Sequence, residues 1–334
     1  MVKYILKRIL LLIPVIIGVS ILVFLVMHVF TTDPASIILG QHATAEQVEK
    51  LREELGLNKP LYIQYLMFLK GVFKGSFGNS LITKTSVAKE ILSRFPATIE
   101  LALVAIVIAS VCGVVMGVIS AVKQNSIADY ISMVISLLGV SMPIFWLGLM
   151  LIVLFSVKLH LLPVSGRISI GMEPTHVTGL YLLDSLLTGN VVAFKDSLKH
   201  LILPSIALAS YSTAIIARMT RSTMLEIIKQ DYIRTARAKG LFEKVVILKH
   251  ALRNALIPVT TVIGLQLGSL LGGAVLTETV FAWPGVGSYT IDAILKSDYP
   301  VVQGSVMILA TVFVLVNLVV DLLYAYLDPR IKYS

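Results

Sequence analysis

Six stretches of this chain are apolar over the length a helix needs to cross a bilayer, about 20 residues for a hydrocarbon core of roughly 30 Å. They cover residues 9–30, 101–122, 130–157, 201–217, 256–276 and 304–327. The fourth is short and carries Pro204 near its start, so flanking residues must complete it. Such a set of segments predicts an all-α polytopic membrane protein with six transmembrane helices. Composition agrees. The chain is 57% hydrophobic and 14% charged, against about 45–50% and 25% for soluble domains. A secreted disulfide scaffold, a disordered chain and an ordinary cytosolic enzyme are thereby excluded. Lys3, Lys7 and Arg8 precede the first stretch as they would a signal peptide. Its apolar run exceeds the ~7–15 residues of a signal core, and no A-x-A site follows, so a retained anchor is expected.

Cys112 is the single cysteine, which removes intramolecular disulfides, CxxC redox pairs and Cys-based zinc sites. His28, His42, His160, His176, His200 and His250 are nowhere three or four residues apart, so no metal-binding helix is expected. The net charge of +9 reads as charge sorting across a bilayer rather than as affinity for nucleic acid. With the N-terminus inside, the short cytosolic pieces are basic. Twelve of the 19 acids fall in the outside pieces, where they nearly cancel the bases, and two of those pieces, 31–96 and 158–199, are long. Long segments translocate largely regardless of charge, so an N-in, C-in topology is expected.

The resulting organisation is a tail and first span over 1–30, an extracytoplasmic segment over 31–96, a core of five spans over 97–327, and a cytosolic tail over 328–334. Within 31–96, residues 45–55 predict an amphipathic helix, with Thr44 as N-cap, Gln47 completing a capping box and Gly56 ending it. Residues 158–199 are rich in Gly, Pro, Ser and Thr and read as loop with short elements.

Chemistry is scarce. There is no Gly-Lys dipeptide, hence no Walker A loop, and no HExxH or GxSxG. The spans hold almost no ionisable groups beyond Glu100 and Asp321, whereas ions and protons usually move past intramembrane charge. An intramembrane enzyme is disfavoured, and so is a self-contained channel or ion-coupled carrier. Uphill transport would need energy from another subunit.

The longest cytosolic stretch, 218–257, has helical periodicity in Met224, Ile227, Ile228 and Ile233, a break at Gly240, and a second helical piece over 243–254 leading to Pro258. Two short helices around a glycine bend would form a protrusion able to pass force into the spans. A solvated basic loop that only fixes topology is the other reading.

Thr235-Ala236-Arg237-Ala238-Lys239-Gly240 resembles the EAA loop of ABC-importer permeases, in the variant of the dipeptide/oligopeptide/nickel branch. Arg234 stands where the common glutamate would be, so a glutamate-based coupling contact is not expected. Glu54-Leu55-Gly56-Leu57, Gly75-Ser76-Phe77-Gly78, Arg94-Phe95-Pro96-Ala97-Thr98, Ser141-Met142-Pro143, Leu162-Pro163-Val164-Ser165-Gly166, His250-Ala251-Leu252-Arg253-Asn254, Phe281-Ala282-Trp283-Pro284-Gly285 and Asp298-Tyr299-Pro300 continue the likeness in order, which is greatest to B-type subunits of dipeptide permeases.

The resemblance implies a type I ABC-importer permease fold in the cell inner membrane, translocating dipeptides or short oligopeptides by alternating access. Nickel, haem or glutathione are alternative cargoes within the branch. It implies a homologous second permease, two cytosolic ATPases and an extracytoplasmic binding protein as partners. No cofactor would be bound by this chain, since ATP and Mg would sit on the ATPases. Asp231, Arg234, Thr235, Ala236, Arg237, Ala238, Lys239, Gly240, His250, Arg253 and Asn254 would form the ATPase-coupling loop.

Single residues in the spans keep two readings each. Gly264, Gly268 and Gly272 would allow close helix approach, either between sliding pore helices or within the chain. Pro143 and Pro204 would each remove a helix hydrogen bond, as hinges or as span-end residues. Asp321 could pair with Arg218, with a basic group of the second permease, or with water and polar neighbours. Phe145, Trp146 and Trp283 could face cargo, and Trp283 reads more readily as an interface anchor.

Overall fold

The computed structural model describes residues 2–29, 34–39 and 43–327. The C-terminal tail 328–334, expected in the cytosol, lies outside the described residues. Every extended element among the described residues is helical. Helix α1 (Val2–Val29) is the first span. After α2 (Pro34–Leu39) comes α3 (Ala45–Leu55), where Thr44 and Gln47 form the expected capping box and Gly56 is left-handed at φ 70°. A further helix in this outer segment, α4 (Leu61–Phe73), was not legible as a separate element.

Helix α5 (Val87–Val122) begins well before the apolar run at 101–122 and carries Pro96 inside it. The third span expected over 130–157, with Pro143 as a hinge or span-end residue, is broken. Helix α6 (Ile127–Ser141) meets α7 (Ile144–Leu151), which continues as a π turn over Ile152–Lys158, at a 109° bend. Pro143 is the cause. It has no N–H to donate and it forces the preceding residue out of the helical region, and Met142 is extended at φ −84°, ψ 131°.

The expected loop 158–199 also needs correction. It holds α8 (Tyr181–Leu187), and from Val191 it is already part of α9 (Val191–Ile228), whose 38 residues swallow the short fourth span. At 1.5 Å per residue α9 is about 57 Å long, well beyond a hydrocarbon core of roughly 30 Å. Pro204 lies buried inside it rather than at a span end. Then follow α10 (Asp231–Ala238) and α11 (Glu243–Val245). A π turn over Val246–Ala251 leads from α11 into α12 (Leu252–Gly273). The chain closes with α13 (Val275–Val280), α14 (Val286–Leu295) and α15 (Tyr299–Leu327). Among the described residues, five helical runs are long and apolar enough to cross a membrane, and the bent α6–α7 pair makes a sixth if it counts as one.

The centre is the seam between α5 and α9. On α5, Ala105, Ala109, Gly113, Gly117 and Ala121 recur at every fourth position and are buried. Small residues at that spacing let two backbones approach. A Cβ added at Gly117 would lie 2.5 Å from the Thr220 Cβ, and one at Gly113 would lie 2.8 Å from Ile216. Gly264 and Gly268 serve a second seam inside this chain, against Val320 and Asn317 of α15, while Gly272 faces open space.

The end of the bundle away from α10 is tied by buried polar groups. Trp283 is fully buried and its indole N–H donates to the Ala97 carbonyl at 2.9 Å, so it is not an interface anchor. Arg167 donates twice to Glu100 (2.9 and 2.5 Å) and once to the Gly179 carbonyl (2.7 Å), and its guanidinium stacks 3.7 Å from the Tyr181 ring centre. Glu278, fully buried, accepts from Thr98 (2.7 Å) and from the Ser288 N–H (2.9 Å). Phe145 and Trp146 remain exposed.

Candidate functional site

The bend at Gly240 is built from the end of α9, the short helix α10 and the foot of α12. Asp231 opens α10 as an acid in the first turn, where the helix dipole favours it. Lys239 ends it, and Gly240 takes φ 75°, left-handed. The Gly240 N–H donates to the Arg237 carbonyl (2.9 Å) and the Leu241 N–H to Ala236 (3.4 Å). These bonds satisfy the last carbonyls of the helix, the role expected of a C-terminal glycine.

Helix α10 has two unlike faces. Ile233 (0% exposed) and Ala236 (7%) sink into one apolar cluster with Ala121 of α5, Met224 of α9, Val246, Ile247 and Ala251 of the π turn, and Ala255 of α12. The opposite face presents Tyr232, Arg234, Thr235, Arg237, Ala238 and Lys239 to solvent, and beyond the bend Phe242 is 83% exposed. Arg237 braces the turn through two hydrogen bonds to Glu243, at 2.7 and 3.1 Å. Asn254 donates to the Tyr232 hydroxyl (2.9 Å) and to the His250 carbonyl (3.0 Å), which ties α12 to α10. Arg253 is exposed, and Asp231 pairs only at the surface, with Arg234 at 3.3 Å.

A second fastening lies one turn up α9. Arg221 binds Asp129, at the start of α6, through two contacts near 3 Å, and also donates to the Ser120 hydroxyl at the end of α5 (2.9 Å). Ser120 in turn donates to Asp129, which also accepts the Asn125 N–H at 3.0 Å. Three helices therefore meet at one ionic knot. Pairing of Arg218 with Asp321 is one of the three readings the sequence leaves open for Asp321. Arg218 is exposed and makes no ion pair among the described residues. Asp321 is half-buried on α15.

The structure thus brings together Ile233, Ala236, Arg237, Gly240, His250 and Asn254, and leaves Arg234, Thr235, Lys239 and Arg253 on the outer face. Tyr232, Phe242, Glu243, Asp129 and Arg221 complete the assembly and were missed. Glu243 had a local signal, an acid just past the glycine bend. The partnership of Asp129 with Arg221 spans 92 residues and has none. Among the described residues no three His, Cys, Asp or Glu side chains gather as a metal site. What the assembly can do is mechanical. An exposed polar face is joined through one apolar cluster to three helices, α5, α9 and α12.

Comparison with known proteins places this geometry in context. Residues 113–333 match the model of the binding-protein-dependent transport system inner membrane components, and residues 1–102 match the N-terminal model of the same components. A dipeptide transport system permease protein of Alkalihalophilus pseudofirmus is 52% identical over the full length of both chains. The corresponding protein of Escherichia coli K12 is 48% identical, again over all of both. A glutathione transport system permease protein of an Escherichia coli O1:K1 strain is 42% identical over both full lengths. Among solved structures, a chain of the MetNI methionine ABC transporter in inward-facing conformations superposes with a TM-score of 0.53 at 18% identity, covering 71% of this chain and 96% of that one. This likeness shows the fold.

Proposed function

The chain belongs to the binding-protein-dependent transport system inner membrane components, the membrane permeases of ABC importers, and from that premise we propose how it works and what it carries. Its cargo is dipeptides, as in the relatives about half identical to it over their whole length. The glutathione permease relative keeps a second cargo, a slightly longer peptide, in view. Transport is by alternating access, with α10 as the part that receives motion. The chain pairs with a homologous second permease, and a cytosolic ATPase docks on the outer face of α10 and on Phe242. ATP and Mg bind to the ATPases, which alone break bonds. The N-terminus and α10 lie in the cytosol.

One observation carries the reading. Helix α10 buries Ile233 and Ala236 in a cluster shared by α5, α9 and α12, yet turns its polar face and Phe242 outward. Displacement of that face must displace three helices with it. Uptake of a labelled dipeptide by proteoliposomes holding the complete importer tests this. Uptake should require ATP and the binding protein, and should be lost when the bend is broken by Gly240→Pro, whose ring cannot take φ 75° and which has no N–H for the Arg237 carbonyl. Full uptake by that variant, or ion-driven flux through the purified chain alone, would overturn the proposal. Competition by glutathione against the dipeptide decides between the two cargoes.

A further inference from the structure

Helix α4 belongs to a segment that sequence reasoning placed wholly in water, yet its contacts lie at membrane depth. The Tyr65 hydroxyl shares a 2.7 Å hydrogen bond with the Ser20 hydroxyl of α1, and the Phe24 ring lies 5.3 Å from Tyr65 and 6.1 Å from Phe68. Ser20 and Phe24 lie inside the apolar run of α1, residues 9–30, ten and six residues from its end, which at 1.5 Å per residue is about 15 and 9 Å. A second helix agrees. Val19 shares a crevice with Met307 of α15, and Met307 is eight residues, about 12 Å, from the outer start of that helix. Half of a roughly 30 Å core is about 15 Å, so the middle of α4 sits within one leaflet.

The polar groups of α4 are arranged for such a place. Gln64 spends its amide on the carbonyls of Leu57 (2.9 Å) and Lys59 (2.7 Å), and the Tyr65 hydroxyl is occupied by Ser20. No charge occurs between Leu61 and Leu69, while Lys70 and Lys74 stand together at the end that leads outward. The face turned away from α1 is apolar and bare. Tyr62, Leu66 and Phe73 are 67%, 59% and 87% exposed, and the neighbouring lateral face of α1 is equally apolar, with Ile17, Ile21 and Leu25 exposed.

We propose that α4 is an interfacial helix sunk into the extracytoplasmic leaflet, its Tyr62–Leu66–Phe73 face against phospholipid acyl chains and Lys70 and Lys74 at the headgroup phosphates. Amphipathic helices of this kind lie about 5–10 Å into the headgroup–acyl boundary, and long basic side chains near a helix end reach back to the phosphates. The assignment of leaflet rests on the N-in orientation adopted above. Helix α4 then acts as a float. It holds the outer segment at constant height beside α1 while the core helices move.

The test uses the complete importer in phosphatidylglycerol-containing proteoliposomes, with Cys112→Ser so that one label is unique. Nitroxide labels at Leu66→Cys and Phe73→Cys are compared with one at Lys50→Cys on α3. The Leu66 and Phe73 labels should be open to oxygen and closed to a water-soluble nickel chelate, at least tenfold less accessible to it than the Lys50 label, and quenchers on lipid tails should reach them. Nickel access equal to that at Lys50 would put α4 in water. Exclusion of both oxygen and nickel would mean that a second permease or the binding protein covers it. Either result overturns the proposal. Dipeptide uptake by the same vesicles is read separately. Failure of uptake with intact lipid contact would count against the transport reading and not against the float, and labels exposed from the opposite leaflet would reverse the orientation alone.

Discussion

Replacing Ile233 by alanine should uncouple ATP hydrolysis from transport. The side chain is fully buried and is one of only two that anchor α10 in its apolar cluster. A buried isoleucine truncated to alanine costs about 2–5 kcal/mol. Ala236, a single methyl, holds too little surface to replace it. If about 3 kcal/mol of the loss falls on the docking of α10, the detached state becomes roughly a hundredfold more populated, at 1.4 kcal/mol per factor of ten. The outer face, Tyr232 to Lys239, is untouched, so an ATPase can still dock. Hydrogen exchange over residues 231–242 should therefore accelerate by about two orders of magnitude. In proteoliposomes, peptide uptake per ATP hydrolysed should fall severalfold while hydrolysis continues. The control is Arg234→Ala. That side chain is 78% exposed and touches only a 93% exposed Asp231, so its removal should leave exchange unchanged, within the usual ±0.5 kcal/mol of surface changes. If Ile233→Ala keeps both the exchange protection and the transport ratio of the parent, the idea that α10 works through its buried face is wrong.

Three further outcomes follow from particular contacts. Asp129→Asn leaves Arg221 without its counter-charge at the junction of α5, α6 and α9, and should lower the thermal midpoint by several degrees, as expected for loss of about 3 kcal/mol or more from a buried pair. An exchange of the two charges should recover part of it. Gly117→Ala places a methyl 2.5 Å from Thr220 and 2.6 Å from the Ala217 carbonyl and should cost about 1–3 kcal/mol by overpacking. Gly240→Ala meets nothing within 4 Å and should cost only the ~1–2 kcal/mol of a left-handed backbone, so the ranking of the two by thermal unfolding is a direct check. Asp184 is buried, which alone would raise its pKa, but the Thr178 hydroxyl and the N–H groups of Thr178, Val177 and Gly179 outweigh that and hold it below the ordinary carboxylate value. Its stabilisation is complete above the unfolded pKa of ~3.9 and is lost as pH falls through the lower folded value. Proteolysis of the 177–184 turn should be slow at neutral pH and quicken only below about pH 4, whereas Asp184→Asn should be cut readily at neutral pH. Equal rates for the two would refute this.

What the chain discloses of itself divides by range of interaction. The capping box at Thr44 and Gln47, the C-terminal glycines Gly56 and Gly240, and the apolar runs are local, and local chemistry decides them. The break at Pro143 is local too, but hydropathy is insensitive to it, since a run of apolar residues reads the same whether straight or bent by 109°. Residues 191–199 fall in the stretch 158–199 that reads as loop for its Gly, Pro, Ser and Thr, yet they are helical, and a helix that leaves the bilayer has no reason to stay apolar. The small-residue ladder of α5 was visible as Ala105, Ala109, Gly113 and Gly117, but nothing in it names α9 as the partner. Trp283 was misplaced for the same reason. Its indole finds the Ala97 carbonyl across 186 residues, a contact that only the folded chain defines. The coupling role of residues 231–240 rests on family resemblance alone, whereas the burial of Ile233 and Ala236 among helices α5, α9 and α12 is a property of the packing.

The distribution of fastenings decides which parts can move. Helices α5 and α9 are held at the centre by backbones that approach through Gly113 and Gly117, at one end by the Ser120–Asp129–Arg221 knot, and at the other by Glu100, Arg167 and the α8 turn. Close-packed interfaces of this sort do not shear continuously. On the proposed reading, work entering at α10 would move α5 and α9 as one body. The strain must be taken where helical bonding is already interrupted, at Met142–Pro143 between α6 and α7 and in the π turn Val246–Ala251 at the foot of α12, since such irregular turns are the usual sites of bending. Spin labels on the exposed positions Val115 of α5 and Ile206 of α9 should keep their separation to within about 1 Å, the change expected of a rigid interface, when the complete importer is trapped with and without nucleotide. Labels astride Pro143, at Leu137 and Met150, should change theirs by several times as much. A shift between Val115 and Ile206 as large as that between Leu137 and Met150 would show that the central seam slides, and that the glycines lubricate it rather than lock it.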